Sequence, residues 1–156
     1  DDATVMFAEH AAGAIAAERE LHAALLEDLG TTAAEAANRP VAPTTRAYVS
    51  YLMATVLSGS YAEAVGVVLP CYWIYARMGD ALLAAGSPDP LYGRWIAMYG
   101  GAAFQAVVDT VLAETDRIGG TLADAELDRM REHFTTTSRY EWMFWDAGWR
   151  REEWPV

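Results

Sequence analysis

A single cysteine, Cys71, stands in a chain of 156 residues, so no internal disulfide framework can form and a reducing compartment, the cytoplasm, is the expected location. Basic clusters are missing as well. With 22 Asp and Glu against 11 Lys and Arg, the sequence offers no surface that neutralises phosphates, which excludes nucleic acid as a partner. No apolar run reaches the length a bilayer demands and no signal peptide is recognisable, so no membrane partner is expected. Strand alternation, internal repeats and low-complexity segments are also lacking, which leaves an all-α reading. The length suits a single helical domain over 1–156, large enough to bury a core. Aromatics, by contrast, are abundant. Six Trp and eight Tyr exceed what a helical core of this size needs, and some of them are expected to line a pocket.

Between Ala3 and Leu29, the residues Phe7, Ala11, Ala14, Glu18, Leu21, Leu25 and Leu29 recur at three and four, which predicts one long helix ended by Gly30. Thr31 to Thr44 holds Pro40 and Pro43 and reads as an irregular connection with room for one turn in Ala33 to Ala37. Pro43-Thr44-Thr45 opens a helix carrying Tyr48, Tyr51, Leu52 and Val56 and ended by Ser58-Gly59. Ser60 and Glu63 have capping-box spacing and start the next, whose apolar face includes Val67, Cys71, Ile74 and Tyr75. Asp89-Pro90 starts a short helix that delivers Tyr99 at its end. A further helix runs through Phe104 and Val111 to Gly119-Gly120. A last one opens at Thr121 and is weakened, with a bend expected, at Thr135-Thr136-Thr137-Ser138.

The chemistry concentrates at Leu69-Pro70-Cys71-Tyr72-Trp73-Ile74-Tyr75. Proline cannot donate a backbone hydrogen bond and crowds the carbonyl four residues back, here Gly66, so the helix is expected to kink or break at Pro70 and restart. Cys71 would then occupy a first helical turn, where exposed N–H groups and the helix dipole favour a thiolate. The alternative is a small buried apolar residue. Beyond the threonine run, Glu141 shares a helix face with Phe144 and Trp145, and desolvation among rings suits a carboxyl group to proton transfer. A solvated glutamate paired with Arg139 is the competing reading. Glu18 and His22 lie one turn apart, but the carboxylates and Glu-x-x-His motifs of a di-iron bundle are absent, so a hydrogen-bonded pair is expected rather than a metal site. His10 and His133 read as packing or surface residues.

These motifs resemble, in order along the chain, those of the TenA family, also called thiaminase II or aminopyrimidine aminohydrolase. The cysteine stretch is the closest match. Ala47-Tyr48, Leu57 to Glu63, Glu18 to His22, Trp95 to Gly101 and Tyr140 to Trp145 are similar to other family segments. The resemblance implies a haem-oxygenase-like helical bundle that uses no cofactor or metal and assembles as a homotetramer. It implies a thiamine-salvage hydrolase that converts 4-amino-5-aminomethyl-2-methylpyrimidine to the 5-hydroxymethyl pyrimidine and ammonia, with cleavage of thiamine as a further activity. Carried over by position, Cys71 is the nucleophile and Glu141 the proton donor. Tyr75 and Tyr99 contact the pyrimidine, Tyr48 is a hydrogen-bonding partner near the thiol, and Phe144 is an aromatic wall.

One element of the family pattern has no counterpart. Family members carry upstream helices with a Gln-Asp-x-x-Tyr-like segment whose aspartate grips the aminopyrimidine. The expectation is that the sequence corresponds to the C-terminal three quarters of such a domain and is poorly active alone. The alternative function is a non-catalytic pyrimidine-binding or regulatory relative.

Overall fold

A computed structural model of the protein describes residues 2–156, and among them there are seven helices and no strand. The helices are α1 (Asp2–Asp28), α2 (Ala33–Ala37), α3 (Pro43–Ser58), α4 (Tyr61–Ala85), α5 (Pro90–Tyr99), α6 (Ala102–Gly119) and α7 (Asp124–Arg150). The all-α class is as expected. Local chemistry sets most boundaries. Asp89 caps α5 by accepting from the Leu91 N–H at 2.8 Å, with Pro90 in the first turn. At the start of α4, Glu63 accepts from the Ser60 N–H at 2.7 Å while the Glu63 N–H donates back to Ser60 Oγ at 3.3 Å. The same reciprocal cap forms between Thr32 and Glu35 at α2.

The break expected at Pro70 does not occur: helix α4 runs unbroken through it, and α7 likewise runs unbroken through Thr135–Ser138. The crowding caused by the proline ring falls on Gly66, which has no side chain. Burial of Val65, Val67, Leu69 and Ala76 on either side holds the helix together against the lost hydrogen bond. In α7 the hydroxyls of Thr137 and Ser138 donate to the carbonyls of His133 and Phe134 at 2.9 and 2.8 Å, so they bond within the helix rather than compete with it.

The chain divides into two compact units. The first comprises residues 1–40 and 78–107. Here α1 lies against α5, tied by the Arg94–Asp28 ion pair and by Tyr99 donating to Glu18. Gly79 allows this unit to close tightly, since a side chain there would run into the backbone of Tyr99 and Gly100. The amphipathic stripe expected on α1 leaves no residue of that helix fully buried.

The second unit comprises residues 41–77 and 108–156. Its core is formed by Tyr48 of α3, by Val65, Val67 and Leu69 of α4, by Val108, Val111 and Ile118 of α6, and by Met130 and Ala147 of α7. Helices α4 and α7 meet at Gly66, where an added Cβ would fall 2.6 Å from the Met130 carbonyl oxygen. Glu152, beyond α7, accepts from both the N–H and the hydroxyl of Thr44 at the start of α3, at 2.8 and 3.0 Å. This fixes the C-terminal end of α7 beside the N-terminal end of α3. No single helix is long and apolar enough to cross a membrane among the described residues.

Candidate active site

Three helices of the second unit each bring one polar side chain to a single buried point. Tyr48 comes from α3, Cys71 from α4 and Glu141 from α7. The Tyr48 hydroxyl donates to Glu141 Oε1 at 2.6 Å and lies 3.1 Å from Cys71 Sγ. Its one proton is committed to the carboxylate, so the thiol must donate to the phenol oxygen, giving the order Sγ–H to Tyr48 Oη–H to Glu141 Oε1. Tyr48 and Glu141 are almost fully buried, and Cys71 is partly so.

The thiol differs from the sequence expectation. Cys71 sits inside a continuous helix, not at the start of one, so no helix end faces it, although its own backbone N–H favours the thiolate. Burial instead pushes the thiol up to about 12; the nearby Glu141 carboxylate adds to that rise and the Tyr48 hydrogen bond opposes it. Burial also raises the Tyr48 phenol far above its ordinary value, and raises Tyr72, the neighbour of the thiol on α4. The group is therefore a protonated thiol with an outlet for its proton, not a preformed thiolate.

Glu141 has one oxygen satisfied and one not. Its Oε2 is buried without a hydrogen-bond partner among the described residues. An orphaned buried acceptor costs about 1–3 kcal/mol, and more when charged, so the site retains a polar atom that a ligand would satisfy.

The aromatic residues around this point are less enclosed. Phe144 is exposed and stands edge-on to Trp145, ring centres 6.0 Å apart. Tyr75 meets the same Trp145 at 6.1 Å. Trp145 thus joins two of the expected binding residues, and its place one turn beyond Glu141 was the available sequence signal. Tyr99 belongs to the first unit, where it is buried, donates to Glu18 Oε1 at 2.5 Å and packs on Trp95 and Phe104. Glu18 Oε2 pairs in turn with His22 Nε2 at 3.0 Å, the expected hydrogen-bonded pair. A separate groove of about 370 Å³, lined by Gly66, Leu69, Trp73, Met130 and Phe134, opens on another face of α4 and does not reach Cys71.

Sequence reasoning missed the support behind Tyr48. Its ring stacks on Tyr140, 6° from parallel with centres 5.3 Å apart, and Tyr140 also packs on Tyr51 at 5.7 Å. Tyr51 is hydrogen-bonded to His133 Nδ1 at 2.8 Å. His133 is therefore part of an internal network.

Comparison with known proteins finds relatives of the chain. The family model described as "TENA/THI-4/PQQC family" matches residues 1–151. An aminopyrimidine aminohydrolase of Bacillus subtilis (strain 168) is 34% identical over 151 residues, covering 97% of this chain and 64% of that protein. Another, of Halalkalibacterium halodurans, is also 34% identical, over 88% of this chain and 62% of its own length. The chain thus spans somewhat less than two thirds of these curated relatives. A solved TenA homologue from P. horikoshii OT3 superposes with a TM-score of 0.79 at 27% identity, over 91% of this chain and 66% of that one. The fold is accordingly the haem-oxygenase-like helical fold.

Proposed function

We propose, for a chain that belongs to the TENA/THI-4/PQQC family, that the protein containing it is an aminopyrimidine hydrolase of thiamine salvage. Its substrate is 4-amino-5-aminomethyl-2-methylpyrimidine and its products are the 5-hydroxymethyl pyrimidine and ammonia. The relatives named aminopyrimidine aminohydrolase support the reaction class. The observation that carries the assignment to residues is the Cys71–Tyr48–Glu141 line with its one unsatisfied carboxylate oxygen.

The geometry suggests how a thiol held near 12 becomes a nucleophile. At neutral pH such a thiol is ionised in only about one molecule in 10⁵, so the proton must leave as sulfur attacks. As Sγ bonds to the pyrimidine ring, its proton passes to Tyr48 Oη and the Tyr48 proton passes to Glu141 Oε1. Tyr48 ends neutral, and Glu141 ends as the acid. That carboxyl group then protonates the departing amine, which leaves as ammonia while ring electrons form an exocyclic double bond. Water adds to the exocyclic carbon and returns one proton to Glu141. Expulsion of Cys71 restores the aromatic ring, and the thiol recovers its proton along the same line. One water is consumed and one ammonia released, with all three side chains restored.

Phe144, Trp145 and Tyr75 supply aromatic surface for an electron-poor ring, which stacks favourably on such faces. The reading includes a cytoplasmic homotetramer as the working form. The test is ammonia release from the aminomethyl pyrimidine by the full-length protein. Release abolished by Cys71→Ser supports the proposal, whereas undiminished release by that variant, or none from the parent protein, overturns it.

A further inference from the structure

Beyond the three residues that would meet the substrate, a second line of side chains leads back from Tyr48 to the N-terminal cap of α4. Tyr48 and Tyr51 are three residues apart on α3 and so lie on one face. The Tyr140 ring packs on both, parallel to Tyr48 and tilted 42° to Tyr51. The Tyr51 hydroxyl is 2.8 Å from His133 Nδ1, and His133 Nε2 faces Glu63 Oε1 at 3.5 Å. Glu63 is itself fixed: its Oε2 accepts the Ser60 N–H, and Arg129 lies 3.5 Å from Oε1.

The hydrogen-bond directions follow from the partners. A carboxylate only accepts, so the His133 tautomer that donates from Nε2 toward Glu63 leaves Nδ1 to accept from the Tyr51 hydroxyl. Tyr51 is held at its far end, and its ring together with that of Tyr48 confines Tyr140. Among the described residues the Tyr48 hydroxyl is bonded to Glu141 and Cys71 alone and its ring stacks on Tyr140, so the direction of the hydroxyl depends on the stack. A displacement of 1 Å there would break the 3.1 Å contact to sulfur or the 2.6 Å bond to the carboxylate.

We infer that Tyr51 and His133 are positioning residues, which act through Tyr140 to hold the Tyr48 hydroxyl between Cys71 and Glu141. The consequence for turnover rests on the hydrolase reading. The consequence for the thiol does not, because it concerns proton sharing between Cys71 and Tyr48 in the free protein. The groups facing the thiol are Tyr48 from α3, Tyr72 from α4 and Glu141 from α7.

The test is the rate of Cys71 alkylation by iodoacetamide against pH, measured in the full-length protein without substrate. Tyr51→Phe removes one hydroxyl and keeps the ring. It should shift the profile upward by about half a unit, a roughly threefold slower reaction at pH 9. His133→Leu should do the same. His133→Asn, which places an acceptor near the former Nδ1, should restore most of the parent rate. In a Tyr48→Phe background, Tyr51→Phe should have no further effect. Superimposable profiles for the parent and a folded Tyr51→Phe variant overturn the inference. So does an equal shift in the Tyr48→Phe background, since Tyr51 would then act by another route. Ammonia release, assayed separately, reports on the hydrolase reading alone.

Discussion

The Tyr48 hydroxyl stands 3.1 Å from Cys71 Sγ in a setting that burial makes hostile to a thiolate. The two facts set the behaviour of the free thiol. With the thiol pushed up to about 12, three units above its ordinary value, the thiolate fraction at pH 8 is lower by about a thousandfold than for an exposed cysteine. Iodoacetamide should therefore modify Cys71 about a thousand times more slowly than a small free thiol at that pH. The rate should still be rising at pH 10. Once the thiol ionises, Tyr48 can turn its proton from Glu141 to sulfur, a hydrogen bond that favours the thiolate; Tyr48→Phe removes it and should slow the reaction further. A plateau near pH 8 would contradict this account.

The same displacement links stability to pH. The folded protein keeps the Cys71 proton to about 12, whereas the unfolded chain loses it near 9. The raised folded value means the contribution is fully present below about pH 8 and is lost as pH rises through 9 toward 12. Denaturant unfolding of the parent and of Cys71→Ser should show a stability difference that is constant from pH 6 to 8. Above pH 9 that difference should fall, against the parent, by about 1.4 kcal/mol per pH unit. A difference independent of pH up to 10 would show that the thiol ionises as readily in the fold as out of it.

Much of the fold was legible because its signals are local. Asp89-Pro90 and the Ser60–Glu63 pair place the starts of α5 and α4 through hydrogen bonds spanning two or three residues, and the structure reproduces them. The unbroken helix at Pro70 was not legible, because burial of Val65, Val67, Leu69 and Ala76 decides it, and sequence spacing does not measure burial. The direction of the Cys71 shift was misread for the same reason: a helix start would favour the thiolate, but there is none. Cys71, Glu141 and Tyr48 were singled out from motifs, and the structure brings the three side chains together. Their order of proton donation was not legible, since it depends on distances between three helices. His133 and Tyr140 carried a weak signal, two turns apart on one face of α7, but nothing local says that Tyr51 reaches the one and packs on the other.

Glu141→Gln separates the proton role of this residue from its structural one. The amide oxygen can still accept from Tyr48, so the α3–α7 contact survives and stability should change by less than about 1.5 kcal/mol. An amide cannot receive the thiol proton or return one to a leaving amine. Under the proposed mechanism, kcat for the aminomethyl pyrimidine should fall by about 10²–10⁴-fold with KM changed little. Steady-state kinetics on the full-length protein decide it. A variant with parental kcat removes Glu141 from the chemistry, whatever its place beside the thiol.

Gly66 belongs to the scaffold that places Cys71. A Cβ at this position would lie 2.6 Å from the Met130 carbonyl oxygen and 2.9 Å from Met130 Cγ, well inside contact distance. The methionine side chain can move aside, but the backbone of α7 cannot do so without carrying its neighbours with it. Alanine gains up to about 1 kcal/mol over glycine in helix propensity, which the clash outweighs. Gly66→Ala should therefore destabilise the protein by about 1–3 kcal/mol in urea unfolding. Because Tyr48 and Glu141 are joined across α3 and α7 while Cys71 rides on α4, separating α4 from α7 should also lengthen the Tyr48–Cys71 contact. A Gly66→Ala protein as stable as the parent would show that α4 and α7 do not approach this closely.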